Sequence, residues 1–256
     1  MKYLLVLCAV LLAGCATQVQ QPGEGHAMPT VSFQQQGLAP RNGGQLVDMS
    51  ALATGDILLS ATNGITSAGI RLATLAPVSH AALYIGDGQV AEAVGSGVRV
   101  RPLADALAEE SVVVAFRRDE LDEAQAAALR AFAQAQVGRP YNYVGVVLHA
   151  PFSLQRRICE LPLLPEITRD ACLRGIATIQ LGTPDNQRFF CSQFVLEAYA
   201  AAGLPISAAN PAWISPADIL HMREGDVPAM QVHRPLTYIG HLKFPPPSQL
   251  VETVRH

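Results

Sequence analysis

An α+β fold, in which an antiparallel sheet packs against helices, is predicted for this chain by three features of its sequence. Apolar runs at Ala81-Ala82-Leu83-Tyr84-Ile85 and Gln89 to Val94 flank a Gly86-Asp87-Gly88 turn, the pattern of a β-hairpin. Shorter strand-like runs stand at Ile57-Leu58-Leu59, Val98 to Val100 and Val112 to Phe116. Two helical signatures follow, one over Asp119 to Val137 and one that starts at Cys191.

The elements can be justified in order. Residues 1–14 have the form of a signal peptide: Lys2 is basic, and Tyr3 to Leu12 is apolar but too short to span a membrane. Leu12-Ala13-Gly14-Cys15 then resembles a bacterial lipobox, which implies lipidation of Cys15. Ala16 stands where an inner-membrane retention signal would place Asp, so the resemblance points to the outer membrane, with the globular part facing the periplasm. Residues 15–45, rich in Gln, Gly and Pro, read as a lipidated flexible tether. The domain occupies 46–256. Gly55-Asp56 is a turn into a buried strand, and Ile65 to Leu75 is helical, ending before Pro77. Acidic residues crowd the start of the 119–137 helix and Gly138 with Pro140 ends it. Residues 144–188 are irregular, apolar and broken by prolines, and read as an insertion. Ser215-Pro216-Ala217-Asp218 is a helix start, and strand-like stretches at Met230 to Val232 and Tyr238 to Phe244 close the chain.

Half of the 256 residues are apolar and the formal net charge is −3, which suits one domain with a sizeable core and excludes a nucleic-acid-binding basic patch. Of five cysteines, Cys8 leaves with the signal peptide and Cys15 takes lipid. In an oxidising compartment Cys159 and Cys172 can form a disulfide, which makes Cys191 the odd thiol. The alternative is that the pair is free and buried.

Phe189-Phe190-Cys191-Ser192-Gln193-Phe194-Val195 is an apolar approach to a helix that continues through Tyr199 and stops at Gly203 and Pro205. A cysteine at a helix start feels the positive end of the helix dipole, which favours a thiolate. An inert buried thiol is the competing reading. Among seven histidines only His80, which opens the first hairpin strand, has a supporting context, with Glu92 on the return strand. A three-residue Gly86-Asp87-Gly88 loop puts Ala82 opposite Glu92 and both His80 and Glu92 on one face. A two-residue Asp87-Gly88 turn puts Leu83 opposite Glu92 and separates them. The glycine at the third loop position favours the first register. Cys191 as nucleophile, His80 as base and Glu92 as its orienter then form a candidate triad, with oxyanion donors in the amides of the helix start.

Ser79 through Ala93 resembles the hairpin of the NlpC-type cell-wall cysteine peptidase superfamily, and Phe190-Cys191-Ser192-Gln193-Phe194-Val195 with Ala198-Tyr199 resembles its nucleophile helix. Gly55-Asp56-Ile57 is similar to its opening strand, and Gly138-Arg139-Pro140-Tyr141-Asn142-Tyr143 to a stretch found before the nucleophile. Here the cysteine follows the histidine, the order of the circularly permuted papain-like branch typified by YaeF and YiiX. The resemblance covers Leu46 to Ile219. It implies a permuted papain-like fold and amidase or peptidase activity through Cys191, His80 and Glu92, with Tyr141, Tyr143 and Ser79 as candidate substrate contacts. Core packing is the competing role for either tyrosine. Peptidoglycan peptide is the first expected substrate; an acyl lipid covered by the 144–188 insertion is the second, and a non-catalytic envelope binding protein the third reading. No cofactor is implied, and no His/Glu spacing suggests a metal site.

Overall fold

The computed structural model describes residues 17–20, 30–40, 43–74, 76–119, 121–143, 171–176 and 188–244, together with positions 145, 148, 152, 155, 159 and 168. The expected signal peptide over 1–14, the expected lipidation site Cys15 and most of the expected insertion lie outside the described residues.

Six antiparallel strands form the main sheet. They are β3 (Ile57–Ala61), β4 (His80–Gly86), β5 (Gln89–Val94), β6 (Gly97–Pro102), β7 (Val112–Arg117) and β8 (Thr237–Lys243), in the spatial order β6-β5-β4-β3-β7-β8. β3 lies at its centre because it is apolar on both faces: every residue from Ile57 to Ala61 is buried. On one face Ile57, Leu59, Ala81, Leu83, Ala91 and Ala93 join a core with Phe194, Val195, Ala198 and Tyr199. On the other, Leu58, Ala82, Tyr84, Val90 and Val113 form a second core with Leu103 and Ala106. That division follows from the period-two alternation of strand side chains.

The helices are α1 (Ile65–Thr74), α2 (Leu103–Glu109), α3 (Glu123–Ala135), α4 (Cys191–Ala201) and α5 (Pro216–His221). α3 begins later than the Asp119 expected from sequence, since Asp122 is its N-cap: the Asp122 carboxylate accepts from the Gln125 amide and the Gln125 side chain returns the bond. The same reciprocal arrangement joins Ser215 and Asp218 at α5. α2 was not anticipated; its short apolar pattern, Leu103 and Ala106, is too brief to show a period. The Met230 to Val232 stretch forms no strand, only an isolated bridge from Val232 to Ser207.

The expected tether over 15–45 departs from a free linker. β1 (Thr17–Gln20) and β2 (Thr30–Phe33) pair antiparallel. Beyond them the chain is strapped to the domain: the Gln35 amide donates to Asp226 Oδ1 at 2.8 Å, and Arg223 Nη1 donates to the Leu38 carbonyl at 2.8 Å. Composition alone hid this docking, because the partners lie some 190 positions away and the bonds use backbone groups that any sequence carries.

Candidate active site

The hairpin register is set by a device absent from both sequence alternatives. Gly86 pairs with Gln89, so Asp87 and Gly88 make a two-residue turn, with φ of 53° and 67°. The ladder then shifts between Tyr84 and Gly86, and beyond this bulge Tyr84 pairs with Val90 and Leu83 with Ala91. The expected three-residue loop is therefore corrected, while the register it would have imposed is restored one residue upstream. Ala82 comes to face Glu92, and His80 shares their side of the sheet. Gly86 is required at the bulge: its φ is 88°, and a Cβ there would lie 2.4 Å from Arg130 Nη2 and 2.7 Å from Thr54 Oγ1.

His80 Nε2 lies 2.7 Å from Glu92 Oε2. Cys191, at the first position of α4, acts on the same imidazole. Burial pulls the His80 pKa down, but the hydrogen bonds to Cys191 and Glu92, and then their charges, outweigh it and push it up to about 10. Burial acts on Glu92 in the opposite sense, yet the His80 hydrogen bond and charge, followed by the charges of Arg101 and Arg99, bring its pKa down to about 2. The pair is an imidazolium beside a carboxylate at neutral pH. Cys191 itself is only 6% exposed, whereas the His80 side chain keeps 17%. Solvent therefore meets the site at the histidine. Phe190 supplies no side-chain cap to α4, so no cap competes for the first-turn amides.

The upstream segment closes one side. The Asn142 amide donates to the Phe189 carbonyl at 2.9 Å, and Tyr141 bridges Phe189. That places the Tyr141 phenol near enough to Cys191 that, after burial, its electrostatic interaction with Cys191 is the next cause raising its pKa. Its ring meets that of Tyr143 edge-on at 5.1 Å. Tyr143 is 61% exposed and its hydroxyl donates to the Gly95 carbonyl at 2.8 Å. Ser79, the other expected substrate contact, is buried, and its hydroxyl bonds that of Ser67 at 2.6 Å, which joins α1 to the strand start. Cys159 and Cys172 are joined by a disulfide with Cα atoms 5.6 Å apart, and Cys191 is free.

The pattern of permuted papain-like amidase enzymes, the YaeF/YiiX or C92 family, matches residues 51–147. Over 244 residues the chain is 37% identical to "Probable lipoprotein peptidase YaeF" of Escherichia coli (strain K12), covering 91% of this chain and 89% of that one. The chain belongs to the YaeF/YiiX family. It is accordingly a cysteine peptidase/amidase with a permuted papain-like fold. The crystal structure of metalloprotein yiiX from Escherichia coli O157:H7 aligns with 72% of this chain and 94% of its own at 20% identity, with a TM-score of 0.42.

Within this family member, sequence reasoning missed the groups that surround Glu92. Arg99 Nε donates to Glu92 Oε1 at 2.9 Å, and Arg101 places Nε 2.7 Å from the same oxygen as an ion pair. Arg101 Nη1 also donates to Glu109 Oε2 at 2.6 Å. Glu110 is buried beside them with Oε2 unpartnered, and burial leads the causes that raise its pKa. The available signal was the alternation Val98-Arg99-Val100-Arg101, which puts two cations on one face of a strand directly after Glu92's own. Among the described residues no cluster of three or more His, Cys, Asp or Glu could hold a metal ion.

Proposed function

We propose that this amidase is a lipid-anchored periplasmic hydrolase of cell-wall peptide, working through Cys191, His80 and Glu92. The observation that carries the reading is the Glu92 carboxylate 2.7 Å from His80 Nε2, with the thiol at the start of α4 acting on the same imidazole. Cys191 Sγ attacks the scissile carbonyl carbon, and the resulting oxyanion is met by amides of the α4 first turn. The His80 imidazolium gives its proton to the amide nitrogen as the C–N bond breaks, which leaves a thioester on Cys191 and a free amine. Neutral His80 then takes a proton from water, whose oxygen attacks the thioester; the acid is released and the thiolate returns. Glu92 accepts from Nε2 throughout and fixes the ring. Tyr141, beside the thiol, and exposed Tyr143 are the proposed substrate contacts.

Anchoring through Cys15 at the outer membrane is supported by the Leu12-Ala13-Gly14-Cys15 motif and by the lipoprotein designation of the YaeF relative. Cell-wall peptide is the accessible amide polymer in that compartment. The proposed organisation is a signal peptide at 1–14, a lipidated linker with its second half docked, and a catalytic domain over 46–256.

An acyl lipid is the second reading, favoured by one cavity. Phe152, Leu173, Trp213 and Met230 line a space of about 430 Å³, together with Arg174 and Asn210. Phe152 and Leu173 belong to the insertion, and Trp213 precedes Ile214, whose carbonyl accepts from Ser192 beside the nucleophile. Incubating the full chain with purified peptidoglycan fragments and, separately, with acyl lipids decides between the two. Product release from the peptide and none from the lipid is expected, with Cys191→Ala reducing release to background. Release that survives Cys191→Ala sinks the mechanism.

A further inference from the structure

Two arginines stand behind the orienting carboxylate, on the edge strand β6, and the hydrolytic cycle assigns them no step. Glu92 is 1% exposed, and a carboxylate so buried is costly unless cations and hydrogen bonds surround it. The groups that face it come from four elements. β4 supplies His80 on Oε2; β6 supplies Arg99 and Arg101 on Oε1. The end of α2 supplies Glu109, which holds the far end of Arg101, and the residue after it is buried Glu110. β3 supplies Ser60, which lines a small cavity with His80, Glu92 and Glu110.

The two oxygens of Glu92 thus have separate duties. We propose that Arg101, with Arg99 beside it, is a positioning residue that occupies Glu92 Oε1, keeps the group a carboxylate and leaves Oε2 to His80. The inference rests on the thiol-hydrolase reading and deepens it. His80 loses its charge each time it protonates a leaving amine. At that moment Glu92 is a buried anion against a neutral ring, and just before it the Nε2 proton of the imidazolium could pass inward to the carboxylate in competition with the productive transfer outward. A guanidinium cannot be deprotonated in a protein, so its charge persists through that stage. Arg101 is suited to the task because its side chain is only 11% exposed and is braced at both ends, by Glu92 at 2.7 Å and Glu109 at 2.6 Å. Arg99 donates a hydrogen bond to the same oxygen but is 39% exposed, so solvent screens its charge more than that of Arg101.

The test uses the full chain and its Arg101→Gln, Arg101→Lys and Arg99→Gln variants. Iodoacetamide modification of Cys191, located by mass spectrometry of its peptide, is followed from acidic to alkaline pH and needs no substrate. Arg101→Gln is expected to slow modification on the acidic side, where Glu92 of the variant takes up a proton, and to lower kcat by about ten- to a hundredfold. KM should stay within about twofold, the mark of a group that acts in the transition state and not in substrate binding. Arg101→Lys should restore part of both effects, and Arg99→Gln should shift the profile in the same direction by less. Superimposable modification profiles for the wild type, Arg101→Gln and Arg99→Gln overturn the proposal. So does an unchanged profile in the exposed Arg99→Gln variant if Arg101→Gln fails to fold. A wild type that cleaves no peptide or lipid while the profiles still shift counts against the hydrolytic reading and for the arginine clamp.

Discussion

At the scale of single residues, the site is an electrostatic balance around one imidazole. Burial opposes a charged His80, and the hydrogen bonds and charges of Cys191 and Glu92 reverse that effect, taking its pKa from 6.5 to about 10. A raised pKa means that the imidazolium persists through neutral pH and is lost as pH rises through about 10. If the acid that protonates the leaving amine is His80, kcat/KM should hold across neutral pH and fall on that alkaline limb. Glu92→Gln removes one of the hydrogen bonds and one of the charges that raise the value. The limb should then move toward neutrality, with activity lower by about 10²- to 10⁴-fold, measured as kcat/KM against pH. An alkaline limb that does not move in this variant would assign it to some group other than His80. The candidate triad was legible in the sequence because each residue sits at a local landmark: a strand start, the fourth position of its partner strand, and a helix start. The arginines were not legible, since two surface-like cations on an edge strand look alike whether they face solvent or a buried carboxylate.

Among elements, the β4–β5 hairpin carries the greatest functional weight. A two-residue turn alone would have sent His80 and Glu92 to opposite faces, and the bulge between Tyr84 and Gly86 returns them to one. Gly86→Ala puts a side chain where φ is 88° and where Arg130 and Thr54 leave no room. It should cost at least about 1 kcal/mol in denaturant unfolding. Activity should fall further than stability explains if the chain escapes strain by abandoning the bulge. The positions of β3 to β7, α3 and α4 were readable from apolar runs and punctuating Gly and Pro. The bulge was not, because a Gly-Asp-Gly triplet suits a three-residue loop as well as a two-residue turn, and only the packing of Arg130 and Thr54 against Gly86 distinguishes them.

For the whole molecule, the N-terminal approach is part of the folded body from Gln34 onward. Arg223 is buried, with Nε 3.0 Å from Asp226 Oδ2, and it donates to the carbonyls of Gln35 and Leu38, while Asp226 also pairs with His221 Nδ1 at 3.0 Å. Arg223→Ala leaves Asp226 with one cationic partner fewer and frees both carbonyls. It should destabilise the fold by about 3 kcal/mol and expose residues 34–45 to limited proteolysis; a variant as resistant as the wild type would mean that other contacts hold the strap. A lipid on Cys15 would then be joined to a body that begins near Gln34 and not near Gln45, through a segment whose strands Thr17–Gln20 and Thr30–Phe33 pair with each other, which shortens the reach. What the sequence determined by itself was the local chemistry: which segments are strands or helices, which cysteine opens a helix, and which histidine has a carboxylate within a hairpin's span. Those properties depend on residues close together along the chain. The tertiary structure alone decided the hairpin register, the arginines on Glu92, the diversion of Ser79 to Ser67 and the docking of the linker. Each of these depends on which distant group fills a given space, and no local pattern encodes that.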